Sequence, residues 1–153
     1  MRTKTLPSTE AFGNLLGAHA ALTRELSAAL VASHGLTIND YSCLLLLSRA
    51  GEEGMRRIDL ATELQLSPSG ITRLLDRLED QGLVGKGACK EDARVSYAIL
   101  TDAGQAKIRD AWPQHVEAVE RRVGSALSED EIKTLGELLA RLSDTEESCD
   151  PDA

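Results

Sequence analysis

Ser67-Pro68-Ser69 constrains the fold more than any other stretch, because it fixes a helix start near the middle of the chain. Proline fits the first helical position, where its missing N–H costs nothing, and a preceding serine can cap the free N–H groups. After it, Ile71, Leu74, Leu75, Leu78 and Leu83 make one apolar face, and Gly82 ends the helix at about Gln81. Before it, Ile58, Leu60, Ala61, Leu64 and Leu66 form a compact helical segment. Two helices joined by so tight a turn, with small Ala61 at their crossing, read as a helix-turn-helix. The solvent side of the second helix carries Ser69, Thr72, Arg73, Asp76 and Arg77. Arg73 and Arg77 are a like-charged i,i+4 pair, unfavourable unless phosphates or Asp76 compensate. Hydroxyls, free N–H groups and two guanidinium groups at a helix start suit entry into a DNA major groove.

The flanking sequence is also mostly helical. Residues 8–33 repeat apolar side chains at spacings of three and four (Phe12, Leu15, Leu16, Leu22, Leu26, Leu30, Val31), with Ser8 as the expected N-cap and Gly35 as the stop. Thr37-x-x-Asp40 starts a second, greasy helix that runs to about Arg49 and is broken by Gly51 and Gly54. Residues 83–100 change period and are rich in β-formers, which predicts a two-stranded hairpin. Thr101 caps a long helix with the stripe Ile108, Trp112, Val116, Val119, Val123 and Leu127, and Pro113 inside it predicts a kink near residues 110–113. Ser128-x-x-Glu131 opens a last helix with Ile132, Leu135, Leu138, Leu139 and Leu142, followed by an acidic tail.

Composition narrows the function classes. Seventeen basic and 25 acidic residues give a net charge of −8, which excludes a wholly basic nucleic-acid coat. The charge is uneven: residues 49–98 sum to −1 and the remainder to −7, so a local positive face is permitted. The longest apolar runs, such as Cys43-Leu44-Leu45-Leu46-Leu47, are far too short for a membrane span, and the N-terminus lacks a signal-like apolar region. A cytoplasmic location is expected. Cys43, Cys89 and Cys149 are scattered and odd in number, which predicts reduced thiols, not a disulfide framework or zinc ribbon. Cys89, an oxidation-switch candidate, and Cys43 are both read as ordinary structural residues. His19, His34 and His115 fall on separate helices, and neither a nucleophile elbow nor a phosphate loop occurs, so no catalytic role, cofactor or metal is expected. A metal set of His19, His34 and Cys43 has no ligand-like spacing.

The run from Ser67 to Glu79, Gln81-Gly82-Leu83-Val84, Asp92-Ala93-Arg94 and Leu100-Thr101-Asp102-Ala103-Gly104 together resemble a MarR-family winged-helix transcription factor, across nearly the whole chain. The resemblance implies a mainly α fold with a small β-hairpin wing, a winged helix-turn-helix with long N- and C-terminal dimerisation helices. On that reading residues 1–153 are a single domain, 8–34 and 101–146 the dimerisation helices and 37–100 the DNA-binding region. It implies a homodimer on double-stranded DNA, with the wing's Arg94 in the minor groove steadied by Asp92. The DNA-binding set is thus Ser67, Ser69, Thr72, Arg73, Arg77, Lys86, Lys90, Asp92 and Arg94. Relatives bind small, often aromatic or anionic effectors between the dimer helices and the reading head, where His19, His34, Tyr41 and Trp112 are conceivable liners. The wing departs from the family in Gly85, Gly87, Ala88 and Cys89, which makes it less positive and its DNA binding more salt-sensitive. A ligand-responsive repressor on a pseudo-palindromic operator is the leading expectation. The alternative is a winged helix used for protein interaction or dimerisation without specific DNA binding.

Overall fold

The computed structural model describes residues 6–88 and 96–143, which lie in two units, Met1–His115 and Val116–Ala153. In the first unit, helix α1 (Pro7–His34) begins one residue before the expected Ser8 cap. Leu6 is the N-cap without a side-chain hydrogen bond, and its carbonyl accepts from the N–H groups of Thr9 and Glu10. Pro7 holds the first helical position, the same proline preference that places Pro68, so it outweighs the hydroxyl of Ser8. The helix stops at Gly35, which at φ 68° occupies the left-handed region open to glycine.

Helix α2 (Ile38–Ala50) starts with the expected reciprocal cap: the Asp40 N–H donates to Thr37 Oγ1 at 3.1 Å, and the Thr37 N–H donates to Asp40 Oδ2 at 2.8 Å. A short 3₁₀ turn (Gly51–Glu53) leads to strand β1 (Met55–Arg56), helix α3 (Arg57–Glu63) and helix α4 (Pro68–Asp80). The turn between α3 and α4 is closed by the Leu66 N–H on the Ala61 carbonyl at 2.8 Å, with Gln65 at φ 52°. Strands β2 (Val84–Ala88) and β3 (Ser96–Leu100) form the expected hairpin. The sheet, however, has three antiparallel strands in the order β1-β3-β2, with Met55 opposite Ala98. Gly54 makes the extra strand: at φ 65° its backbone approaches the Ala98 carbonyl so closely that a Cβ would overlap it.

Helix α5 (Asp102–Val119) is capped as expected, the Gly104 N–H donating to Thr101 Oγ1 at 3.0 Å while that hydroxyl donates to the Gly82 carbonyl at 2.7 Å. The helix continues through Pro113 and passes into a π turn over Glu120–Gly124, where the Ser125 N–H reaches the Glu120 carbonyl. In the second unit, helix α6 (Glu129–Ser143) opens on the expected box, with the Ser128 N–H donating to Glu131 Oε2 at 2.8 Å. The backbone N–H and hydroxyl of Ser128 hold the Glu131 carboxyl below the usual carboxylate range. Among the described residues no single helix is long and apolar enough to cross a membrane.

The core joins Leu30, Leu36, Leu44, Leu47, Leu60, Leu75 and Leu78 with Val84, Ala98 and Ala111. Burying each leucine contributes roughly 1.5–3 kcal/mol. Much of the expected apolar stripe stays in water in this single chain: Phe12, Leu16, Trp112, Leu138 and Leu142 are all exposed. Cys43 is buried, as the reading of it as a small hydrophobe expects.

Among the described residues one charged side chain is in the core. Asp40 is 1% exposed; its Oδ2 accepts from the Thr37 N–H and Oγ1, and its Oδ1 accepts from Nη2 of Arg77 on α4. Tyr41, beside it in sequence, packs its ring 4.6 Å from that of His115 on α5. Burial pushes the Tyr41 hydroxyl up and the His115 imidazole down, so both favour their neutral forms.

Two outcomes test this packing. A methyl group at Gly104 would press into the Leu83 carbonyl, so Gly104→Ala is expected to lower stability in urea unfolding by about 1–3 kcal/mol; an unchanged midpoint would mean that α5 does not pack on that corner. Burial, aided by the Asp40 charge, pushes the Cys43 thiol up to about 12, so iodoacetamide at pH 8 should leave Cys43 unmodified until urea is added. Peptide mass mapping that found it alkylated in the folded protein would contradict its burial.

Candidate nucleic-acid interface

The α4 N-terminus is built by Ser67 and Pro68. Ser67 Oγ accepts the Gly70 N–H at 3.1 Å and lies 3.2 Å from Ser69 Oγ, so two linked hydroxyls stand over the first turn. No acidic residue occupies that turn, and the positive end of the helix is left for an outside anion. Thr72 Oγ1 donates to the Pro68 carbonyl at 2.9 Å, which uses its proton and leaves its lone pairs and methyl.

The cations divide into engaged and free. Arg73 is exposed and has no carboxylate within ion-pair distance among the described residues. Arg77, expected on the same reading face, bonds to buried Asp40 while its side chain stays 48% exposed. The like-charge tension between Arg73 and Arg77 is therefore relieved by Asp40 from another helix, not by Asp76. Asp76 and Glu79 share Arg57 of α3, at 3.8 and 3.7 Å, and Glu79 also pairs with Lys86 of β2 at 3.1 Å. Lys86, named from sequence as a DNA contact, is thus placed over Glu79 yet remains largely exposed. Lys90, Asp92 and Arg94, and with them Cys89, lie outside the described residues.

Two site residues escape a sequence reading. Asp40 looks like a cap only, although a carboxylate one residue before Tyr41 and three before Cys43 in a greasy helix signals a second partner. Arg57 gives no sequence signal, since its carboxylates lie 19 and 22 residues away.

Of the residues named as conceivable effector liners, His34, Tyr41 and Trp112 lie on or against residues 110–115 of α5. His19 lies on α1 with Thr23 Oγ1 3.5 Å from its Nε2, and Trp112 is half exposed on α5. His34 places Nδ1 3.3 Å from Asp110 Oδ2 and Nε2 2.9 Å from Gln114 Oε1, which joins the end of α1 to α5. The Tyr41 hydroxyl and His115 Nδ1 are buried without a hydrogen-bond partner among the described residues. No three His, Cys, Asp or Glu side chains among the described residues gather as a metal site.

The family model that matches is the MarR family, over residues 36–96, which spans α2 through the start of β3. The chain is 32% identical over 123 residues to the HTH-type transcriptional repressor Rv2887 of Mycobacterium tuberculosis, covering 80% of this chain and 86% of that one. The structure of that protein in complex with salicylic acid superposes with a TM-score of 0.69, at 27% identity over 93% of this chain and 99% of the other. AbsC, a MarR family transcriptional regulator from Streptomyces coelicolor, is 32% identical with a TM-score of 0.79 over 94% of this chain and 97% of its own. Sco3205, a MarR family regulator from the same organism solved in complex with DNA, is 27% identical with a TM-score of 0.82 over 100% and 96% of the two chains. The helix-turn-helix with its three-stranded wing sheet, the matched family model and relatives similar along most of both chains lead to one assignment: this chain belongs to the MarR family of transcriptional regulators.

Proposed function

We propose that the chain is a ligand-responsive repressor that acts in the cytoplasm as a homodimer on a two-fold-symmetric DNA site. The observation that carries the reading is Arg73, an exposed guanidinium with no carboxylate partner among the described residues, on α4 beside the linked hydroxyls of Ser67 and Ser69. Arg56, Arg57, Arg77 and Lys86 of the reading head are already on carboxylates, so Arg73 is the cation of α4 with its donors left for a guanine edge. Ser67, Ser69 and Thr72 contact phosphate and base edges around it, and Lys86, Lys90 and Arg94, the last steadied by Asp92, serve the wing. Arg77 holds α4 on Asp40 and so positions the reading helix. A DNA-bound structural relative, Sco3205, supports the placement of the duplex.

Dimerisation is supported by the apolar side chains that one chain leaves in water, Phe12, Leu15 and Leu16 on α1 and Leu135, Leu138 and Leu142 on α6. Residues 8–34 and 101–146 form the dimer arms and 37–100 the reading head, within one functional domain. Two α4 helices then reach major grooves about 10–10.5 base pairs apart. The salicylic acid complex of Rv2887 supports a small anionic effector, which acts by preferring a dimer whose reading helices are wrongly spaced.

Selection from a random duplex pool tests this reading. The protein should recover a two-fold-symmetric site, and Arg73→Ala should weaken binding by about 1–3 kcal/mol with relaxed preference at one base pair in each half-site. Arg94→Ala should weaken binding and steepen no base preference in the major groove. A folded, dimeric protein that enriches no sequence would contradict the regulator reading and favour a protein-interaction module.

A further inference from the structure

The reading face of α4 carries an acid where DNA binding alone would place none. With 3.6 residues per turn, Ser69, Arg73 and Asp76 fall within about 60° of one another, opposite Ile71, Leu74, Leu75 and Leu78. Asp80 shares this face and is exposed, but it ends the helix, farthest from the Ser67 start, and the two acids nearer that start are not equally engaged. Glu79 is 18% exposed between Arg57 and Lys86, whereas Asp76 is 58% exposed and meets only Arg57, at 3.8 Å, beyond hydrogen-bond range. Its carboxylate oxygens are therefore open as acceptors on the face that meets the duplex.

A carboxylate there is repelled by every phosphate it passes and gains nothing from a base edge that offers only acceptors. The groove group that suits it is the amino group of cytosine. Arg73 lies three residues away, about 4.5 Å along the helix, with the complementary donors for guanine. We infer that Asp76 is a specificity-determining residue, which accepts from a cytosine N4 amino group in the operator and penalises binding to other sequences. This rests on the DNA-reading function proposed above. It makes selectivity, not affinity, the property that Asp76 supplies, and Arg57 limits its charge without covering it.

The test compares wild type, Asp76→Ala, Asp76→Asn and Arg57→Gln as full-length dimers, each checked by thermal melting. Binding is measured to a random-sequence duplex and to the wild-type selected site with each base pair substituted in turn. Both Asp76 variants are expected to bind the random duplex several-fold more tightly, because one repulsive charge is gone. Asp76→Ala is expected to lose about tenfold discrimination for cytosine at one position per half-site, while Arg57→Gln keeps it. Unchanged base preferences in Asp76→Ala, or the same loss in Arg57→Gln, would overturn the inference, the second by showing that Asp76 acts through Arg57. Failure of the wild type to select any site would instead overturn the DNA-reading function, and this inference with it.

Discussion

A carboxylate removed from water needs every lone pair occupied, and Asp40 is the group on which the placement of the reading helix depends. One of its oxygens takes the backbone and hydroxyl of Thr37, which starts α2, and the other takes Arg77 of α4. Ser27 of α1 accepts the Ile38 N–H at the same corner, at 3.2 Å. Three helices thus meet around one buried charge. The pair is asymmetric: Arg77 is half exposed and can return to water, but Asp40 cannot. Removing one partner of a fully buried pair costs about 3–5 kcal/mol, so with Arg77 half solvated the loss on its removal is about 2 kcal/mol.

The same arrangement sorts the charges of the reading head. Asp40 takes Arg77, and Glu79 takes Lys86 and a share of Arg57. What remains outward on α4 is one free guanidinium, Arg73, the lightly engaged carboxylate of Asp76, the exposed Asp80 at the helix end, and the serine hydroxyls of the first turn. A segment of net charge −1 can still present a positive point where it meets DNA, because Asp59 and Glu79 are turned to other bases and Arg73 is left free among the described residues. Binding of this kind gains little from bulk attraction and depends on the few groups left free.

Elements with local punctuation were legible in the sequence. Ser67-Pro68, Thr37-x-x-Asp40, Gly35, Thr101 and Ser128-x-x-Glu131 all act within four residues of themselves, and each ends or starts a helix where the pattern places it. The missed strand and the missed partner of Arg77 are non-local. Strand β1 exists because Gly54 lets a two-residue segment reach β3 more than 40 residues away, and nothing in Met55-Arg56 itself announces a strand. The α1 start shifted because a proline one residue earlier won over a serine, and the π turn that follows the helix holding Pro113 has no signal in the pattern. Of the site, Ser67, Ser69, Thr72 and Arg73 could be placed on the reading helix from spacing alone. The engagement of Arg77 with Asp40 could not, since 37 residues separate them.

The central claim is that α4 is a DNA-reading helix set in place by Asp40 through Arg77. A double-mutant cycle of Asp40→Asn and Arg77→Gln, read in both urea stability and affinity for the selected duplex, tests it most directly. Coupled effects are the predicted result: Arg77→Gln weakens stability and DNA affinity together, and adding Asp40→Asn restores part of both by removing the stranded charge. Strictly additive losses, with DNA affinity falling in Arg77→Gln whatever occupies position 40, would contradict it and return Arg77 to direct contact with DNA.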